Sequence, residues 1–326
     1  MDNLIIGGSG QDGLFLAKLL VSRGEKVILT YYKNSPKLKL QHLGLEDMVK
    51  IIYLDITDTQ QVFKALLYSN PDKIYFFAAQ SSVGLSFKNE DWTKMVIETG
   101  FENYVKALKV LDRNTRTIFC ASSECFGIND TKINSKTKFM PLSPYAKSKV
   151  KMAEGIISER DNYGFDFRIA YLFNHESEFR TENYLFGKVG KYICDLKSSR
   201  IPSDQKLHLG TLDLIRDFGL SSEYVFGLDL LGNLDECTDS VIATGVSISL
   251  ITGVKKMFES AGLEMKSHVN IASIDKRRSD VHANWADISE LKDKLDWIPL
   301  INGVKVFDEL MLSFDNFYNF KQKKRI

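Results

Sequence analysis

Short apolar runs alternate with longer segments of helical period along the first half of the chain. Leu4-Ile5-Ile6, Val27-Ile28-Leu29, Ile51-Ile52-Tyr53-Leu54, Ile74-Tyr75-Phe76-Phe77, Thr117-Ile118-Phe119-Cys120 and Phe167-Arg168-Ile169-Ala170 read as strands. Between them, Asp12 to Arg23, Thr59 to Tyr68, Trp92 to Leu111 and Pro144 to Arg160 read as helices. Strands buried on both faces and separated by helices predict right-handed crossovers and a doubly wound parallel α/β sheet. The sheet is expected to occupy residues 1–172 and to take up the chain again at about 207–245. Residues 173–206 and 246–326 are expected to form a smaller, interleaved lobe. A ligand then belongs at the carboxyl ends of the strands, between the two parts.

Bulk properties narrow the chemistry only slightly. The 326 residues are 44% hydrophobic and 26% charged, enough for a substantial core. With 43 basic and 42 acidic residues the net charge is +1, which gives no global attraction to nucleic acid or to an anionic membrane. Cys120, Cys125, Cys194 and Cys237 show neither metal-ligand spacing nor the density of a disulfide scaffold. No run approaches the roughly 18 apolar residues of a membrane span, and a cytoplasmic protein is the expectation.

The first strand runs directly into Gly7-Gly8-Ser9-Gly10-Gln11-Asp12-Gly13, which opens the first helix. Glycines at 7, 10 and 13 permit a tight turn and close backbone approach, and a helix N-terminus offers N–H groups to a pyrophosphate. This predicts a dinucleotide site. Where NAD-binding proteins place an acid after the second strand, the run Thr30 to Ser35 carries Lys33 instead, so NADP is the expected cofactor. Asp55, ending the third strand, is placed near the adenine.

Tyr145 and Lys149 stand four residues apart, one turn along a helical face. A lysine ammonium beside the phenol is expected to lower its pKa and make it a usable base. Upstream lies Ser122-Ser123-Glu124, whose carboxylate is a second proton-transfer group that hydride transfer alone does not need.

Tyr-x-x-x-Lys with this glycine pattern resembles the extended short-chain dehydrogenase/reductases, which have a Rossmann-like fold. Four further stretches resemble the GDP-mannose 4,6-dehydratase family: Gly10 to Gly13; Ala78 to Ser81 with Val83 and Ser86-Phe87; Leu172 to Ser177; and Leu209-Gly210 with Arg216 to Gly219. Ala243-Thr244-Gly245, Trp297 and Pro299 extend the likeness. The resemblance implies Ser122, Glu124, Tyr145 and Lys149 as the catalytic set. It implies Gly7 to Gly13, Lys33, Asp55, Ile56, Phe77, Ala78, Ala79, Ser81, Trp92, His175 and Arg180 around NADP, which Tyr145 and Lys149 also touch. Ser82, Asn174, Glu176, Lys188, Arg216 and Arg277 would face a GDP-sugar.

The chain also departs from that pattern. Ser82 replaces a histidine, Glu178-Phe179-Arg180-Thr181 replaces Pro-Arg-Arg-Gly, and Gly187 replaces an arginine. Because these changes cluster on the ligand side, GDP-N-acetylglucosamine and a GDP-heptose stand beside GDP-mannose as expected substrates. Nucleotide-sugar epimerases, reductases and decarboxylases share Tyr145 and Lys149 and form the competing enzymatic reading. A dinucleotide-binding sensor is the non-enzymatic one, which the presence of both residues disfavours. The superfamily's habit of pairing two long helices per subunit points to Trp92 to Leu111 and Pro144 to Arg160 as contacts of a homodimer or homotetramer.

Overall fold

The structure is a computed structural model that describes residues 1–129, 131–272 and 283–324. Strands β1 (Asp2–Ile6), β2 (Lys26–Tyr31), β3 (Lys50–Tyr53), β4 (Lys73–Phe76), β5 (Arg116–Ser122) and β6 (Phe167–Leu172) coincide with the six apolar runs. A seventh, β7 (Ser240–Ile242), completes a sheet of order β7-β6-β5-β4-β1-β2-β3. Every pairing in it is parallel. Leu4, Ile5, Ile74, Ile118, Phe119, Phe167 and Ile169 are completely buried. Helices cover both faces, and each side chain so enclosed contributes about 1.5–3 kcal/mol.

β1 pairs with β2 on one side and β4 on the other, so the strand order reverses there. The connections diverge above that point and leave a crevice. The helices Gln11–Ser22, Thr59–Ser69 and Pro144–Tyr163 fall where the periodicity puts them. The segment expected as one helix from Trp92 to Leu111 is Glu90–Lys94 and Gly100–Val110 joined by a π-helical turn, Met95–Thr99. Ser148 Oγ donates to Glu98 Oε1 at 2.6 Å, tying that turn to the Tyr145 helix.

At the opposite end of the sheet, the fully buried Arg168 donates to Asp166 Oδ1 at 2.8 Å and to the carbonyls of Leu231 and Leu234 at 2.7 and 2.8 Å. A cation at the carboxyl end of helix Ser221–Asn233 satisfies carbonyls that lack partners within the helix. That helix packs against Gln11–Ser22.

A second hydrophobic cluster is built from Phe186, Val189 and Ile193, from Leu207, Leu209, Leu212 and Phe218, from Val254, Met257 and Phe258, and from Val306, Phe307 and Leu310. The return to the sheet therefore begins later than the sequence suggests. Residues 207–220 pack in the smaller lobe, where Leu207–Leu209 pairs with Val269–Ile271, and only Ser221–Asn233 and β7 rejoin the sheet. Leu291 and Leu295, expected in the lobe, pack with the sheet core instead. Among the described residues no helix is long and apolar enough to cross a membrane.

Gly7 has φ +78°, and a Cβ there would lie 2.6 Å from the Ala78 nitrogen. Gly164 has φ +69° with nothing within 4 Å of the added carbon. Both substitutions to alanine strain the backbone, but only one also collides. Gly164→Ala is expected to cost about 1 kcal/mol, and Gly7→Ala roughly 3 kcal/mol or more, as read by urea denaturation of the two variants.

Candidate active site

A cleft of about 1020 Å³ opens at the carboxyl ends of the strands where their order reverses. The glycine-rich turn forms one wall. Gly7 N–H donates to Thr30 Oγ1 at 2.9 Å, anchoring the turn to β2, and Gly10 N–H donates to Gly7 O at 3.3 Å. A Cβ on Gly13 would lie 2.4 Å from Gly8 Cα, so the turn can close only around glycine. A Cβ on Gly10 would meet only Gly7 O, at 3.6 Å, leaving the cleft side open for a phosphate to reach the backbone. Gly10 caps the first helix without any side-chain hydrogen bond. These features fit a dinucleotide pyrophosphate.

Lys33, Asp55, Ile56 and Trp92 line one arm of the cleft. Lys33 is held at φ +63°, with Nζ 5.3 Å from the ring centres of both Tyr32 and Trp92. The aromatic faces attract the ammonium and hold it over this arm. Asp55 Oδ1 accepts hydrogen bonds from Thr57 N at 2.9 Å and Thr57 Oγ1 at 2.7 Å, so one of its oxygens shapes the turn after β3. Phe77, Ala78, Ala79 and Ser81 line the cleft where β4 ends.

Ser122 ends β5, and its Oγ accepts from Glu124 N–H at 3.3 Å, starting the short turn Ser123–Phe126. Ser143 caps the following helix through Ala146 N–H at 3.1 Å, which places Tyr145 in the first turn and Lys149 in the second. Ser122, Glu124, Tyr145 and Lys149 all line the cleft. Burial pushes the Tyr145 phenol above its ordinary value of 10.0, while a hydrogen bond with Ser122 pulls it down. Lys149 does not lower it as expected from the sequence. Its Nζ donates to Cys120 O at 2.7 Å, and burial lowers the ammonium's own pKa. Desolvation outweighs proximity here.

A buried network joins the first helix to the strand Asn174–Glu176. Gln11 Nε2 donates to His175 O at 3.0 Å, and Ser177 Oγ donates to Gln11 Oε1 at 3.0 Å. His175 contacts Phe173 O through Nδ1 at 2.7 Å and Asp12 Oδ1 through Nε2 at 2.9 Å. Two acceptors demand hydrogens on both ring nitrogens, hence an imidazolium. Burial opposes that charge, but Asp12 outweighs it and raises the His175 pKa. For Asp12 burial acts upward, and His175 and a 2.6 Å hydrogen bond from Ser221 bring the net shift downward. Although His175 lines the cleft, both its ring nitrogens serve this network. Arg180 donates through Nε to Glu176 Oε2 at 2.9 Å and through Nη2 to His175 O at 2.6 Å.

Of the residues implied for a GDP-sugar, Ser82, Asn174 and Glu176 line the cleft. Ser82 Oγ also caps the turn Val83–Ser86 by accepting from Leu85 N–H. Lys188 and Arg216 do not line it. Lys188 Nζ donates to His208 O at 2.6 Å, and the buried Arg216 donates to Ile215 O at 2.8 Å. Arg277 lies outside the described residues. Asp217, beside Arg216, accepts from Thr244 N, Thr244 Oγ1 and Gly245 N at 3.0, 2.6 and 2.7 Å, so the strings Arg216–Gly219 and Ala243–Gly245 meet as a turn and its cap. Burial lifts that carboxyl to about 6 against these hydrogen bonds. Sequence reasoning missed Lys88, Asn183, Tyr184 and residues 210–212, all of which line the cleft. Asn183 and Tyr184 immediately precede helix Leu185–Lys197, and no local signal marks either as facing the cleft.

The model of the GDP-mannose 4,6 dehydratase family matches residues 4–310. GDP-mannose 4,6 dehydratase 1 of Arabidopsis thaliana is 30% identical over 315 residues, 93% of this chain and 86% of that protein. Among solved structures, dTDP-glucose 4,6-dehydratase from Streptomyces venezuelae with NAD and TYD bound superposes with a TM-score of 0.84 at 18% identity, covering 100% of this chain and 98% of that one. RMD from Pseudomonas aeruginosa complexed with NADPH superposes with a TM-score of 0.80 at 18% identity, covering both chains fully at 100%. The structural likenesses define the fold.

The raised His175 pKa makes its contribution to stability complete below the unfolded value of about 6.5 and lost as pH rises through the folded value. The lowered Asp12 pKa makes the carboxylate's contribution present above its unfolded value and lost as pH falls through the folded one. His175→Asn is therefore expected to cost about 3 kcal/mol near pH 6, with the deficit shrinking as the buffer is made alkaline in paired denaturation curves.

Proposed function

The chain belongs to the GDP-mannose 4,6-dehydratase family, and on that premise we propose that it converts GDP-mannose to the GDP-4-keto-6-deoxy sugar. The observation that carries this reading is the presence of the Glu124 carboxylate on the same cleft wall as Ser122 and Tyr145. Epimerisation or simple reduction at C4 has no use for a second base placed there.

Tyr145 takes the proton of the C4 hydroxyl while Ser122 hydrogen-bonds the same oxygen. When bound, a nicotinamide dinucleotide supplies the hydride acceptor at C4 and the hydride donor at C6. The ketone at C4 acidifies the neighbouring C5 hydrogen; Glu124 removes that proton and passes it to the departing C6 hydroxyl, which leaves as water, and C5 takes the proton held by Tyr145 as hydride reaches C6. Lys149, held by Cys120 O, would hold the ribose of such a cofactor. Burial keeps the proton on Tyr145, and the hydrogen bond with Ser122 works against that. The hydride returns within each turnover, so no external reductant is consumed.

The cofactor in this reading is NADP. The end of β2 offers no acid to repel a 2′-phosphate, and Lys33 stands there with its ammonium oriented by two aromatic rings. The helices Glu90–Lys94 with Gly100–Val110, and Pro144–Tyr163, are the proposed subunit contacts of a homodimer or homotetramer.

Incubation with GDP-mannose is expected to yield a product lighter by one water, and substrate deuterated at C4 to deliver the label to C6. An unchanged product mass would point to epimerisation and overturn the reading. Tyr145→Phe should lower kcat by roughly 10²-fold or more. Glu124→Gln should stall after oxidation, leaving the near-ultraviolet absorbance of reduced nicotinamide. Lys33→Ala should weaken NADP binding about three- to tenfold while leaving NAD within about twofold, as measured by titration calorimetry.

A further inference from the structure

Tyr184 lines the same cleft as Tyr145, and three features converge on it. Its hydroxyl is 2.8 Å from Ser81 Oγ in an exposed contact. Its ring lies under the Arg180 guanidinium, 4.4 Å from Cζ to ring centre. It is also close enough to Tyr145 that its charge would raise that phenol's pKa, ahead of Glu124 in effect. Arg180 itself is held by the buried Glu176 and by the His175 carbonyl, so a half-buried ion pair places the cation against the Tyr184 ring.

The hydroxyl is held differently. A contact between two rotatable, solvent-reached hydroxyls contributes only about 0.5–1.5 kcal/mol net, and either oxygen can exchange it for another donor or acceptor. The side chain thus combines an immobilised ring with a replaceable hydrogen bond at the cavity wall. Such a group suits a polyol, whose hydroxyls donate and accept equally well. A nucleotide diphosphate, which only accepts at its phosphates, would be served better by a cation.

We propose that Tyr184, with Ser81, is a binding residue for the hexose, its hydroxyl exchanging the Ser81 contact for a sugar hydroxyl and holding the ring against Tyr145. This rests on the GDP-mannose reading above. Tyr184 begins the helix Leu185–Lys197, whose apolar face belongs to the smaller lobe, whereas Ser81 follows β4 of the sheet. The sugar would therefore meet two neighbouring hydroxyls, one from each part of the chain, where the smaller lobe touches the sheet.

The test compares GDP-mannose with GDP, which lacks the sugar, on Tyr145→Phe protein loaded with NADP so that no turnover intervenes. Adding Tyr184→Phe is expected to raise the Kd for GDP-mannose about fivefold, within the range of one hydrogen bond, and to leave that for GDP unchanged. Retained GDP binding also shows that the variant is folded. Equal loss for both ligands, or no loss for either, would overturn the proposal. In the otherwise native enzyme, Tyr184→Phe should lower kcat/KM for GDP-mannose by a similar factor, and unaltered kcat/KM would likewise overturn it. Failure of the native enzyme to dehydrate GDP-mannose would instead sink the reading on which the proposal stands.

Discussion

The ion pair between Asp12 and His175 is the constraint on which the catalytic end of the molecule depends. Two charges taken out of water are costly unless each is fully partnered, and here every partner is supplied by a different part of the chain. Ser221 donates to the carboxylate, Phe173 accepts from the imidazolium, and Gln11 clasps the backbone beside it. The pair therefore fixes the start of the first helix, the strand Asn174–Glu176 and the helix after Leu220 in a single arrangement. Arg180 is set by that arrangement, and Tyr184 is set by Arg180. The string Phe173 to Ser177 is thus an architectural device before it is a chemical one.

Facing this network in the cleft are Tyr145 and Lys149, the pair proposed as catalytic. Tyr145 and Lys149 are both buried, and burial drives each toward its neutral form. Glu124, only partly buried, lies in a more solvated part of the same wall.

The sheet was legible in the sequence because its strands are buried on both faces and so read as continuous apolar runs. β7 was not legible, being three residues long and announced only by the Ala243-Thr244-Gly245 turn after it. The glycine turn and the Ser122, Glu124, Tyr145 and Lys149 constellation were legible because each residue sits at a fixed offset from the end of a strand or the start of a helix. Lys188 and Arg216 were not placed correctly, since their strings determine a neighbourhood and not a direction, and both side chains turn to nearby carbonyls. Tyr184 was missed because nothing local distinguishes it. Its position follows from Ser81 and Arg180, one of them far away in the chain.

The two hydrophobic clusters are stitched from interleaved segments, and this orders events during synthesis. A large part of the sheet core, from β1 through β6, is encoded by the first 172 residues and can begin to collapse while the ribosome is still translating. The second cluster cannot close until the helix Lys305–Lys323 delivers Val306, Phe307, Leu310 and Met311. Until then the apolar faces of Leu185–Lys197 and Leu250–Ser260 cover each other only in part. The nascent chain thus passes through a stage in which the sheet core is taking shape while the smaller lobe still shows apolar surface, a window in which a chaperone would matter most.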